Sequence, residues 1–247
     1  MQAPSMAWRM DNGRTMSTQP WLSIVMPVLD EAASLDAALQ ALQRWRAAGV
    51  ELIVVDGGSR DESLQIARER ADQALTAPRG RAAQMNAGAA RAQGRWLLFL
   101  HADTRLPDAG LDALGRLDPA ACWGRFDVQI DDPAPLLRIV SVMINLRSRC
   151  TGVATGDQAM FVRKDVFEQV GGFPDIALME DLALSRKLKA VARPVCLRPT
   201  VQTSARRWRR HGIWRTIWLM WRLRAAYFFG ADPDDLARRY GYRPRER

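Results

Sequence analysis

RWLLFLHADTRLPD, Arg95 to Asp108, is the stretch on which the reading of this chain turns. WLLFL (Trp96–Leu100) is a short continuous apolar run, the mark of a strand buried on both faces. It passes straight into His101, Ala102, Asp103 and Thr104, with no Gly, Asn or Pro to make the turn. Such an exit is either a polar loop with a helix cap or a metal-ligand site at the carboxyl end of a buried strand.

Two upstream strands leave the core in a similar way. LSIVMPV (Leu22–Val28) runs into Leu29, Asp30 and Glu31, and ELIVVD (Glu51–Asp56) closes on Gly57-Gly58-Ser59. Between the apolar runs the spacing predicts helices. Asp30 to Ala47 puts Leu35, Leu39 and Leu42 on one face, Arg60 to Arg70 follows a Ser59 cap, and Gly80 to Gln93 stops at Gly94. Strand and helix alternate, so the fold class is α/β with a Rossmann-like, mostly parallel central sheet flanked by helices. Ligands of such sheets gather beyond the carboxyl ends of the strands. Three polar ends together make a rim suited to a nucleotide. Carboxylates accept from base N–H groups, backbone amides near glycine meet ribose or phosphate, and a hard divalent cation bridges diphosphate to carboxylate.

Downstream the spacing predicts a helix over Asp108–Leu117, a strand near Trp123–Ile130 and a long helix over Leu136–Arg149. A strand, short helix and Gly-rich turn fill Gly156–Phe173, a helix with carboxylates at its entry covers Met179–Ala190, and Arg193–Pro199 is a last strand. The expected organisation is an arm over 1–20, a catalytic domain over 21–200 and a basic, Trp-rich helical extension over 201–247. The arm lacks the apolar run of a signal peptide, and Met6, Met10 and Met16 are alternative starts. Cys122, Cys150 and Cys196 form neither a disulfide framework nor a metal-ligand spacing, which fits a reducing, cytoplasmic compartment.

The net charge is +9. From Ala205 onward there are 12 arginines and 4 acidic residues, a difference of +8, so the rest of the chain is nearly neutral. A cationic tail calls for an anionic partner: membrane surface, phosphate-bearing substrate or nucleic acid. Ile213 to Phe229 is helical and apolar, with Trp214, Trp218 and Trp221, yet it carries Arg215, Arg222 and Arg224 and falls short of the ~20 apolar residues of a spanning helix. It lies in a membrane interface, packs on the catalytic domain, or does both.

In order and spacing, IVMPVLDEAASL, ELIVVDGGSRDES, GRAAQMNAGAARAQGRWLLFLHADT, GDQAMFVRKDVFEQVGGF and MEDLALSRKL resemble the family 2 glycosyltransferases of the GT-A fold, over Trp21 to about Arg198. The His-Ala-Asp-Thr wording and the TSARRW segment resemble a bacterial clade of that family tied to arsenosugar biosynthesis. The resemblance implies an inverting, metal-dependent transfer of a sugar from a nucleoside diphosphate, UDP first, to a hydroxyl acceptor, with a lipid-linked acceptor as one option. It implies that Pro27, Val28 and Glu31 line the nucleoside pocket and that Asp56, followed by Gly57, meets the base. It places Arg81 near the diphosphate, Asn86 as a holder of its loop, and His101, Ala102 and Asp103 at the nucleotide-sugar. Asp103 would ligate Mg²⁺ or Mn²⁺, Asp181 would be the general base with Glu180 beside it, and Gly156, Asp157 and Gln158 would face the acceptor. Two positions depart from the family pattern. His101 replaces the first carboxylate of Asp-x-Asp, leaving it as a second metal ligand or as a contact to ribose or phosphate. Asp30 stands where Asn is usual. Gln202, Arg206, Arg207 and Trp208 are similar to the Gln-x-x-Arg-Trp motif of processive synthases, but the spacing is longer.

Other classes fit less well. A nicotinamide oxidoreductase wants G-x-G-x-x-G after the first strand, where this chain has Pro27-Val28-Leu29-Asp30-Glu31. A sugar nucleotidyltransferase lacks its glycine-rich, lysine-bearing loop here. A nucleic-acid- or anionic-surface-binding protein accounts for the Arg/Trp tail but leaves the carboxylate rim unexplained.

Overall fold

The computed structural model describes residues 19–242. The expected arm therefore lies outside the described residues, apart from its last two positions. The elements in order are β1 (Leu22–Val28), α1 (Ala32–Ala41), α2 (Gln43–Ala47), β2 (Val50–Asp56), α3 (Ser63–Arg70), β3 (Gln73–Thr76), α4 (Arg81–Arg91) and β4 (Trp96–Phe99). Then come β5 (Thr104–Arg105), α5 (Ala109–Gly115), β6 (Trp123–Asp131), α6 (Pro135–Thr151), a 3₁₀ turn (Gly156–Gln158), β7 (Phe161–Arg163) and α7 (Lys164–Gln169). The chain finishes with α8 (Glu180–Val191), β8 (Val195–Ser204), α9 (Arg206–His211), α10 (Ile213–Phe228) and α11 (Pro233–Tyr240).

One sheet of eight strands runs in the order β3-β2-β1-β4-β7-β6-β8-β5. The pairs β3–β2, β2–β1, β1–β4 and β6–β8 are parallel, and only β7 and β5 run against the rest. The apolar runs are continuous because both faces are covered. Leu22, Ile24, Met26 and Val28 of β1 join Leu52 and Val54 of β2 on one face, against Leu35, Leu39 and Trp45. Val25, Ile53 and Val55 point the other way, with Leu97 and Phe99, onto Ala82, Met85 and Ala89 of α4. Gly88 is what lets α4 lie so close: a Cβ there would meet Val25 Cγ1 at 2.4 Å.

Several expectations are corrected. The helix over Asp30–Ala47 is two helices interrupted at Leu42, and it begins two residues later. Asp30 sits outside it at φ 53°, a left-handed conformation that Asp and Asn tolerate better than other L-residues. β3, β5 and α11 were not expected. The last strand is longer than Arg193–Pro199: it pairs with β6 up to Ser204, and a register shift between Phe126/Asp127 skips Arg198 and Pro199. Pro199 cannot donate to a ladder, and the bulge takes it out of the pairing.

The tail does pack on the catalytic domain. Leu223 of α10 and Leu236 and Ala237 of α11 are buried against Leu178, Met179 and Leu182 at the entry of α8. The same helix leaves Trp214, Trp218 and Trp221 exposed. Among the described residues, no helix is long and apolar enough to cross a membrane.

Candidate active site

Because six strands share one direction, β1, β2, β4, β6 and β8 end at the same edge of the sheet. A cavity of about 1070 Å³ opens there. Its wall includes Pro27, Val28, Glu31, Arg81, His101, Ala102, Asp103 and Asp157. The other expected residues, Asp56, Gly57, Asn86, Gly156, Gln158, Glu180 and Asp181, lie behind that wall.

The first two strand ends are fastened from α4. Gln84 donates from Nε2 to Val28 O at 2.8 Å and to Val55 O at 2.7 Å. This buried amide was missed in the sequence. Gly57 is the neighbour it needs, since a Cβ there would stand 3.0 Å from the Gln84 side chain. Asp56 is buried and accepts from Gly58 N at 2.9 Å, from Ser59 N and from the Ser59 hydroxyl. Its carboxylate thus closes its own loop. Asn86 bonds the backbone of Phe173 in both directions, at 2.8 and 3.0 Å, and so ties α4 to the Gly171-Gly172 turn.

The third end is pinned by the late strand β8. Thr104 pairs with Thr203, and Ser204 N donates to Asp103 O at 3.2 Å. Directly after β8, Arg206 reaches back to Glu31, at 2.9 and 3.1 Å, and to Asp103 Oδ2 at 3.5 Å. One guanidinium therefore spans two of the expected nucleotide-side carboxylates. Among the described residues no three His, Cys, Asp or Glu side chains converge to hold a metal. A hard cation takes six or more oxygens and keeps water and substrate phosphates among them. The donor set fits a cation shared with a diphosphate, with Asp103 as the protein oxygen, and does not build an all-protein cage.

His101 leans away toward the 3₁₀ turn. Its Nδ1 is 3.7 Å from Asp157 Oδ1, and its Nε2/Cε1 edge lies where a Cβ on Gly156 would come within 2.8 and 2.7 Å. Gly156 N in turn donates to Asp181 Oδ2 at 2.8 Å, while Asp181 Oδ1 takes the N–H of Leu182 at 2.7 Å. Gln158 is buried, and its side chain completes a capping box with Thr155. The turn thus couples the Asp103 loop to the entry of α8.

Charges around this turn are strongly coupled. Burial raises the Asp157 carboxyl, but His101, Arg81 and Arg224 outweigh it and hold the pKa below the usual carboxylate range. Asp157 still exposes 55% of its side chain, all the more relevant because it lines the cavity. Glu180 is pushed up to about 7, first by burial and then by the Asp181 charge, with Arg81 opposing. Arg81 bonds the Tyr242 hydroxyl and packs over its ring at 5.1 Å, so the tail reaches the rim at Arg81.

The cavity lies at the carboxyl edge of a twisted α/β sheet, with carboxylates and arginines on its rim, which is the arrangement of a GT-A nucleotide-sugar fold. Comparison with known proteins agrees. The family model for glycosyl transferase family 2 matches residues 23–168, and the chain belongs to that family. A PGL/p-HBAD biosynthesis glycosyltransferase of Mycobacterium tuberculosis is 34% identical over 171 residues, which cover 62% of this chain and 63% of that relative. The chain thus matches a little under two thirds of that relative's length. Two solved structures share the fold at 18% identity. S. aureus TarS 1-349 in complex with UDP-GlcNAc has a TM-score of 0.60, with 74% of this chain and 58% of that chain covered. The mannosyltransferase PcManGT from Pyrobaculum calidifontis, in complex with GDP-Man and Mn²⁺, also has 0.60, with 91% and 70% covered.

Proposed function

We propose that the protein transfers a glycosyl group, with inversion, from a nucleoside-diphosphate sugar, UDP-linked first, to an acceptor hydroxyl. The observation that carries this reading is the meeting at one cavity edge of the Glu31–Arg206–Asp103 bridge with the His101–Asp157 pair, backed by Asp181. Pro27, Val28 and Glu31 line the nucleoside pocket. Asp56 and Gly57 shape the base loop, and Asn86 keeps α4 and the 171–173 turn together. Arg81 faces the diphosphate. Asp103 would hold Mg²⁺ or Mn²⁺, and His101 orients Asp157 ahead of any role as a second ligand. The bound cation supplies Lewis-acid neutralisation of the leaving group.

Asp181 takes the proton of the acceptor hydroxyl as its oxygen attacks the anomeric carbon and the bond to the diphosphate breaks. Its two oxygens are fixed by Gly156 N–H and Leu182 N–H, which orients the remaining lone pairs. Glu180 is buried, and its carboxyl, pushed up to about 7 by that burial and by the Asp181 charge, supports Asp181 from the preceding position. Gly156, Asp157 and Gln158 form the acceptor side. Asp157 is the one specific rival for the base, because, unlike Asp181, it lines the cavity and stands beside His101.

Within the family, the His-Ala-Asp-Thr and TSARRW wording assigns the chain to the clade tied to arsenosugar biosynthesis. The catalytic domain runs to the end of β8 at Ser204, a few residues past the expected division at 200, and a tail that covers the site follows. The exposed Trp face of α10 seats the protein on an anionic membrane surface, on the cytoplasmic side. Nucleic acid is the weaker partner, because much of the basic tail is spent internally: Arg206 on Glu31, Arg207 on Tyr240, Arg209 on Asp132 and Arg238 on Asp235.

A thermal-shift panel of nucleotide-sugars with Mn²⁺ or Mg²⁺ tests the reading. A cation-dependent rise in Tm with a UDP-sugar is expected. No response to any nucleoside diphosphate would overturn it.

A further inference from the structure

The cavity has a second half that the sugar-transfer chemistry does not use. Helix α6 exposes Ile139, Val142, Met143 and Leu146 to between 52% and 63%, at the i, i+3, i+4, i+7 spacing of one helical face. Helix α10 exposes Trp214, Trp218 and Trp221 to 73%, 61% and 69%. Ile139, Met143, Trp214 and Trp221 are exposed and also line the cavity, so its mouth lies between two apolar helix faces. Each row of lining residues ends in an arginine: Arg147 follows Met143 by four residues, and Arg224 follows Trp221 by three.

Arg147 is unusual. Its Nε and Nη2 are buried and have no hydrogen-bond partner among the described residues. Buried donors without partners are rare and costly, so their presence points to a missing acceptor. These two nitrogens form one edge of the guanidinium, and that edge takes two oxygens of a single anion. We propose that this trough binds an amphiphile, an apolar chain lying between α6 and α10 and ending in a phosphate clamped by Arg147 and Arg224. A phosphate monoester carries about −1.5 to −2 charges, which matches two arginines better than a carboxylate does. Burial, and next to it the Arg224 charge, push Arg147 down to about 10, with Asp181 pulling the other way. A phosphate dianion relieves that strain. A role as acceptor rests on the glycosyltransferase reading and needs a hydroxyl on the amphiphile, since a phosphate dianion has no proton for Asp181 to take; binding of the amphiphile does not rest on that reading.

Calorimetry on the full chain tests this with three probes: decyl phosphate below its micellar concentration, decyl maltoside with the same chain and a neutral head, and inorganic phosphate. Decyl phosphate is expected to bind roughly tenfold or more tighter than either of the others. Arg147→Met should bring it down to the decyl maltoside level, and Met143→Ser, at an exposed site, should weaken it by roughly threefold. If Arg147→Met does not fold, the three probes on the parent and Met143→Ser still decide. Equal binding of decyl phosphate and decyl maltoside would overturn the clamp. Equal binding of inorganic phosphate would overturn the chain trough. Competitive displacement by UDP would assign the arginine pair to the donor. A parent that binds decyl phosphate but shows no nucleotide-sugar shift loses the glycosyltransferase reading alone; the reverse result loses the trough alone.

Discussion

Arg206 and Arg147 line the same cavity and differ in what they hold. Arg206 is 59% exposed on its side chain and bridges Glu31 and Asp103. Arg147 has two buried nitrogens that find no hydrogen-bond partner among the described residues. An exposed ion pair contributes about 0–1 kcal/mol, so the Arg206 bridge opens cheaply when a cation or diphosphate needs the carboxylates. A buried guanidinium without acceptors has no such freedom, because its desolvation is offset only when a ligand arrives. The polar half of the cavity is therefore a closed set of partners that substrate must rearrange. The apolar half, on the amphiphile proposal, is an open set that a ligand completes.

The widest break in this comparison would come from the carboxylates behind the polar half. Asp181→Asn is expected to lower kcat by ~10²–10⁴-fold, and Asp157→Asn by roughly tenfold, in a transfer assay with saturating donor. The opposite ranking would move the base to Asp157 on the cavity wall.

Next in size is a pH effect on stability. Glu180 has its folded pKa raised to about 7 from an ordinary 4.5. The folded state then binds more protons than the unfolded state between these values. The contribution is full below about pH 4.5 and is lost as pH rises toward and through 7. Glu180→Gln should flatten the fall in Tm over that window. An unchanged Tm–pH slope would place the titration elsewhere.

The smallest expected effect sharpens the contrast between the two arginines. Arg206→Ala frees Glu31 and Asp103, and the Mn²⁺ concentration for half-maximal activity should drop by roughly two- to fivefold, the scale of an exposed pair. A loss of cation affinity would instead make Arg206 part of the diphosphate site.

Much of the polar half was legible in the sequence because it follows strand ends, and strand ends are local. Apolar runs stop where they stop, and His101, Asp103, Asp56 and Glu31 come next in the chain. The details of that half were less legible. Asp56 turns onto Ser59, and His101 turns onto Gly156 and Asp157, because the 3₁₀ turn arrives from more than fifty residues away. β5 is two residues long and has no periodicity to read. Gln84 looked like any polar position of α4, since nothing local tells that its amide would face two strand carbonyls.

The apolar half was hardly legible at all. The spacing in α6 announces an amphipathic helix, but a helix face does not name its partner. The tail posed the same problem: packing on the catalytic domain and facing a membrane were equally open, and α10 carries both a packed face at Leu223 and an exposed Trp face.

The sequence by itself determined the alternation of strands and helices, the polar rim and the family, because each is written in short runs with their own periodicity and turn chemistry. Only the tertiary structure decided which charges are matched. Arg206 meets Glu31 across 175 residues of chain, and two Arg147 nitrogens find no acceptor among the described residues although the Asp181 charge acts on that side chain. Partnership between charges depends on distance and burial in three dimensions, and neither quantity is carried by sequence separation.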